Sequence, residues 1–157
     1  MKALLQRVQH ASVTVDGQLI SQIGPGLLVL LGVGPDDTEK EAEFLADKAA
    51  RLRIFQDEND KMNLSLLDVD GEMLAVSQFT LYADCRKGKR PSFTGAAAPA
   101  HADALYEYFQ NCVRDLGVKQ VGHGIFGADM KVDLLNDGPV TIMLDTQELS
   151  CPRHGHK

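Results

Sequence analysis

The chain has 157 residues, 44% of them hydrophobic, with 6 Pro and 14 Gly, which is the arithmetic of one folding unit near the commonest domain size. At this length roughly two-thirds of the unfolded surface can be buried, so a core needs no metal or disulfide staple. The 16 basic and 22 acidic residues give a net charge of −6, which argues against generic adhesion to nucleic acid or to anionic membrane. The longest apolar run, Leu27 to Leu31, is far too short to span a bilayer, and the opening residues lack a long signal-peptide core, so the reading is a cytoplasmic protein with no membrane partner. Cys85, Cys112 and Cys151 fit neither a disulfide framework nor a zinc pattern.

In chain order, the first third alternates as strands do. Leu4, Val8, Val13 and Val15 sit among polar residues, and Asp16-Gly17 signals a hairpin between Ala11–Val15 and Gln18–Ile23. Gly24-Pro25-Gly26 then breaks the chain before Leu27–Val33, whose continuous apolar character predicts a strand covered on both faces. Four short strands are expected in this stretch. Thr38-Glu39-Lys40-Glu41 reads as a capping box opening a helix with Ala42, Leu45, Ala46, Ala49 and Leu52 on one face. A short strand, the turn Asp68-Val69-Asp70-Gly71 and a strand from Glu72 to about Gln78 follow. A second helix starts near Ala100, carries Leu105, Phe109, Cys112, Val113 and Leu116, and stops at Gly117. Lys131–Leu135 and Val140–Leu144, around Asp137-Gly138, predict a closing hairpin-like pair. The expected fold class is α+β: a strand-rich single domain with two main helices packed on a mostly antiparallel or barrel-like sheet.

Several chemistries can be set aside. There is no G-x-S-x-G elbow, no H-x-x-x-H, no Walker loop and no dinucleotide fingerprint, so no metal and no cofactor is expected. His154 and His156 lie in a tail that predicts only adventitious metal binding.

What remains is a junction. Ser77-Gln78-Phe79-Thr80-Leu81-Tyr82-Ala83-Asp84 passes from strand alternation into hydroxyl-rich residues, directly before a loop in which Arg86, Lys87, Lys89 and Arg90 put four cations into five residues. The rest of the chain then holds 12 basic against 22 acidic residues, so one basic loop stands on an acidic body. Exposed N–H groups at a strand end can stabilise an oxyanion, whereas the plainer reading of Thr80 is a strand residue bonded to backbone. For the loop the choices are a solvated turn or a phosphate contact. Asn136-Asp137-Gly138-Pro139-Val140-Thr141 places a Gly-Pro pair between two strand-like runs, where a plain turn is the simplest account.

These two segments together resemble the signature segments of bacterial D-aminoacyl-tRNA deacylases, formerly called D-tyrosyl-tRNA deacylases. Gly24 to Val33, Lys89-Arg90-Pro91-Ser92-Phe93 and Gly124 to Met130 are similar to the family as well, so residues 1–147 are expected to form the deacylase domain and 148–157 a flexible tail. The resemblance implies hydrolysis of the ester of D-aminoacyl-tRNA, and of glycyl-tRNA mischarged on a non-glycine tRNA, by a homodimer. It also implies that Gly138-Pro139 is cis and enters the partner's pocket to reject L-amino acids. Ser77, Gln78, Phe79 and Thr80 are then the expected catalytic residues, with oxyanion donors near Gln78 and Phe79. Thr80 is either the nucleophile or a group that positions water with help from the ribose 2′-hydroxyl, since no neighbouring base is evident to activate it. Arg86, Lys87, Lys89 and Arg90 are the expected tRNA contacts, with Phe79 or Phe93 bordering the adenine; DNA is not an expected partner. The alternatives are a non-catalytic module that binds tRNA ends or single-stranded RNA, and a small amino-acid esterase indifferent to RNA.

Overall fold

The computed structural model describes residues 1–152. His154 and His156, and most of the expected tail, lie outside these residues. Three strands, β1 (Lys2–Val15), β2 (Gln18–Ile23) and β3 (Gly26–Gly32), precede helix α1 (Glu39–Arg51). A two-stranded ribbon, β4 (Phe55–Gln56) and β5 (Met62–Leu64), leads to β6 (Glu72–Ser77), a 3-10 turn (Phe79–Tyr82) and helix α2 (Pro99–Asp115). Strands β7 (Val121–His123) and β8 (Lys131–Asp145) and a single helical turn, α3 (Thr146–Leu149), complete the order.

The main sheet runs β2-β1-β3-β6-β7, with β8 also paired to β1. Its pairings through β1 are antiparallel, whereas β3–β6 and β6–β7 are parallel, so the sheet is mixed and barrel-like. The two edges nearly meet: a Cβ added to Gly122 of β7 would lie 2.2 Å from the Ser21 hydroxyl of β2, so only glycine permits that approach. The expected class holds, with a larger parallel share than the sequence suggested.

Side-chain alternation along β3 and β6 feeds two cores. Leu27, Val29, Leu31, Met73 and Ala75 pack beneath α1 and α2, while Leu28, Leu74 and Val76 join Val8, Val13 and Ile23 on the other face. That is why β3 reads as a continuous apolar run. The capping box of α1 is present: Lys40 N–H donates to Thr38 Oγ1 (3.3 Å) and Thr38 N–H to Glu41 (2.7 Å). The Thr38 hydroxyl also donates to Glu41 (2.6 Å), and that bond, then the one from the Thr38 N–H, holds the Glu41 carboxyl below its usual pKa. In α2, Leu105, Phe109 and Val113 are buried as expected, and Pro99 opens the helix without a side-chain cap.

Two expectations need correction. The four opening strands are three, because β1 is continuous through the position where a break was expected. The closing hairpin does not form: both halves of β8 pair with β1 in one direction, Gln6 opposite Thr141 and Val8 opposite Asn136. Residues 137–140 therefore stand against Arg7 alone, so Asp137-Gly138 makes a bulge rather than a reversal.

Candidate active site

Parallel pairing of β6 with β3 extends one residue past the strand, because the Gln78 N–H donates to the Leu31 carbonyl at 2.8 Å. The chain then tightens: Leu81 N–H donates to Gln78 O (3.3 Å) and Ala83 N–H to Thr80 O (3.0 Å). The first N–H groups of any helical turn have no partner inside it. Here those of Phe79 and Thr80 find no acceptor among the described residues. The Gln78 N–H is thus committed to the sheet, and the uncommitted donors of this segment are those of Phe79 and Thr80.

Gln78 Nε2 donates to the Thr80 hydroxyl oxygen. Since that oxygen accepts, the Thr80 proton is left to be donated. No His, Lys or carboxylate among the described residues hydrogen-bonds the Thr80 hydroxyl. Ser77, Gln78 and Phe79 line a cleft of about 540 Å³ with Phe93, Ala102, Phe126 and Met130, whereas Thr80 lies just outside its lining. Phe79 and Phe93 meet edge to face, 5.1 Å between ring centres, and both are exposed.

Phe93 returns from the basic loop, which is closed by paired hydrogen bonds between Asp84 and Ser92 (2.7 and 2.9 Å). Arg86 grips the Asp84 carboxylate through Nε (2.9 Å) and Nη2 (2.8 Å). The side-chain hydrogen bond from Arg86, then its backbone one, holds the Asp84 carboxyl below the usual range. Lys87, Lys89 and Arg90 are exposed and make no ion pair among the described residues.

Gly138 and Pro139 are not brought to this cleft. They are exposed on β8, their peptide bond is cis, and Gly138 has φ +122°. Behind them lies Arg7, 5% exposed, donating through Nε to Asp137 O (3.1 Å) and through Nη1 to Ile54 O (2.8 Å). Asn136 Nδ2 braces the other side, donating to Arg7 O (3.1 Å) and Val140 O (3.0 Å). A Cβ on Gly138 would lie 2.7 Å from Arg7 Nη2. Leu135 and Met143, flanking this segment on the same strand, are 47% and 45% exposed. Sequence reasoning missed Arg7 as a brace, although an arginine at the inward parity of Ala3 and Leu5 in a buried strand is a readable signal. It also missed the wall supplied by Ala96, Ala97 and Ala102, whose small side chains carry no chemical mark.

A cleft at a strand end, uncommitted amides and a nearby basic loop are the equipment that a hydrolase of an ester on a polyanionic carrier would use. Comparison with known proteins gives that class its family. The family model described as D-Tyr-tRNA(Tyr) deacylase matches residues 4–145. A D-aminoacyl-tRNA deacylase of Koribacter versatilis is 60% identical over 148 residues, covering 94% of this chain and 99% of that protein. One of Roseiflexus castenholzii is 58% identical over 157 residues, covering 100% and 99%. Among solved structures, one described as a c-Myc DNA unwinding element binding protein superposes with TM-score 0.88 at 44% identity, over 93% of this chain and 99% of the other. A second, described as a probable eukaryotic D-amino acid tRNA deacylase, shares the fold with TM-score 0.81 at 20% identity, over 91% and 97%. The chain belongs to the D-aminoacyl-tRNA deacylase family. It is an enzyme, a hydrolase of D-aminoacyl-tRNA, which sets aside the non-catalytic binding module. No helix among the described residues is long and apolar enough to cross a membrane.

Proposed function

We propose that this deacylase is a cytoplasmic homodimer whose cleft accepts the aminoacylated 3′ end of tRNA while Gly138 and Pro139 of a second copy close it against L-amino acids. The observation that carries the reading is the position of that pair: exposed, braced from behind by buried Arg7, and outside the cleft of its own chain. A wall fixed near the α-carbon rejects one handedness by steric clash without reading the side chain. Glycine offers no side chain to reject, so glycyl-tRNA on a non-glycine tRNA is also a substrate. The exposed Leu135 and Met143 supply apolar area for the same contact.

At the mouth of the cleft, the Phe79 and Thr80 amides receive the developing oxyanion, Ser77 and Gln78 order the polar groups, and Phe79 and Phe93 border the adenine. An aminoacyl ester is activated, so positioning and oxyanion stabilisation suffice without a charged base. Thr80 positions water, aided by the ribose 2′-hydroxyl, in preference to acting as nucleophile; its oxygen already accepts from Gln78. Lys87, Lys89 and Arg90, with Arg86 held on Asp84, meet tRNA phosphates.

The test is deacylation of D-tyrosyl-, L-tyrosyl- and glycyl-tRNA by wild type and Thr80→Val. The expected result is turnover of the D and glycyl esters only, with kcat in the variant lowered about tenfold, against about 10⁴-fold for a lost nucleophile. Equal hydrolysis of the D and L esters would remove the chiral wall. Turnover of free D-amino-acid ethyl esters at the same kcat/KM would restore the RNA-indifferent esterase.

A further inference from the structure

The 3-10 turn that carries the proposed oxyanion donors has no fully buried residue; Leu81 and Tyr82 are half-buried against Gly32 of β3. Polar ties from distant segments add to that packing. Lys2, at the start of β1, places Nζ 4.8 Å from the centre of the Tyr82 ring and donates to the Leu81 carbonyl at 3.4 Å. At its far end the Tyr82 hydroxyl meets Asp37. A Cβ built on Gly34 would lie 3.1 Å from that hydroxyl and 3.2 Å from Asp37 Oδ2, so phenol and carboxylate are neighbours beside that glycine. Burial, and then the negative charges of Asp37 and Asp145, push the Tyr82 phenol far above its usual pKa.

Asp37 is itself fixed. Its Oδ2 accepts from Gly34 N–H (2.6 Å), its Oδ1 from the Met1 ammonium (2.9 Å), and its side chain is only 12% exposed. Beneath the turn, β3 ends in Gly32, where a Cβ would lie 3.1 Å from Gln78 O and from Leu81 Cβ. The turn therefore rests on a bare stretch of backbone and is tied down at two points.

We infer that Lys2, Tyr82 and Asp37 are positioning residues of the deacylase, aiming the Phe79 and Thr80 amides by clamping the turn from its C-terminal end. None of the three lines the cleft, and the Lys2 contacts are made at Leu81 and Tyr82, the end of the turn away from Phe79. The inference rests on the reading of those two amides as oxyanion donors. A small rotation of a turn that binds an oxyanion weakens the transition state more than the ground state, so its signature is in kcat.

The experiment compares Lys2→Met, Lys2→Arg and Tyr82→Phe with wild type in single-turnover and steady-state hydrolysis of D-tyrosyl-tRNA, with Tm and amide hydrogen exchange on the same samples. Lys2→Met and Tyr82→Phe are expected to lower kcat about five- to tenfold with KM within about twofold. Exchange should accelerate at Leu81 and Ala83, whose N–H groups close the turn, and not elsewhere, and Lys2→Arg should recover most of the rate. Unchanged kcat and unchanged exchange in both variants would overturn the inference, as would a fall in Tm with kcat intact at temperatures well below it. If wild type failed to hydrolyse the D ester, the reading of the amides would fall instead, while the exchange comparison would still decide whether these side chains hold the turn.

Discussion

The turn at Phe79–Tyr82 and the segment at Gly138-Pro139 solve opposite problems. The turn sits at the mouth of a cleft formed wholly within one chain, carries uncommitted amides, and is held by polar side chains at its far end. The Gly-Pro segment is braced from inside by Arg7 and Asn136 yet faces nothing of its own chain. On the proposed reading, one region is the receptor and the other the projection that a second copy's receptor takes. On that reading, the oxyanion site and the chiral wall are thereby built on separate supports.

Gly138→Ala should divide them most sharply. At φ +122° any side chain is strained, and the added carbon meets buried Arg7 at 2.7 Å. Turnover of D-tyrosyl-tRNA is expected to fall about a hundredfold, or L-tyrosyl-tRNA to become a substrate, while affinity for uncharged tRNA holds within about twofold. Loss of tRNA binding in this variant would erase the proposed separation. Next in size, Lys87→Gln, Lys89→Gln and Arg90→Gln together should weaken tRNA about tenfold at low salt and flatten the log–log salt slope by about 2, with D/L selectivity unchanged. An unchanged slope would return the loop to a solvated turn.

The smallest expected effect concerns Arg86, whose charge is already engaged by Asp84. Asp84→Asn should tighten tRNA about two- to threefold at neutral pH by releasing that guanidinium. The sign with pH follows from the lowered Asp84 pKa. The Arg86 pair is complete above the usual carboxylate range and is lost as pH falls through the depressed value. In wild type, the gain from releasing Arg86 should therefore come only at strongly acidic pH, and the variant should show no such step.

Local signals were legible where one element answers to its own residues. Thr38 and Glu41 announced the start of α1, the run Leu27–Leu31 announced a strand covered twice, and Leu105, Phe109 and Val113 gave the inner face of α2. The failures came where a distant partner decides. Asp137-Gly138 has the composition of a reversal, but β1 is long enough to pair with both flanks, and inter-strand hydrogen bonding outweighs a turn preference. The Gln78 amide looked free from sequence because its acceptor, Leu31 O, belongs to a parallel neighbour many residues away. Within the site, Ser77, Gln78, Phe79 and Phe93 do converge on one cleft. Thr80 stands at its rim, and Gly138 with Pro139 stands apart.

That separation has a genetic corollary. If every complete site takes its turn from one polypeptide and its Gly-Pro from another, a chain crippled at the turn and a chain crippled at Gly138 are not equally dead when mixed. Random reassortment makes half of the assemblies hybrids, each rebuilding one intact centre and doubling the lesion in the other, so two null alleles expressed together should recover about a quarter of normal turnover.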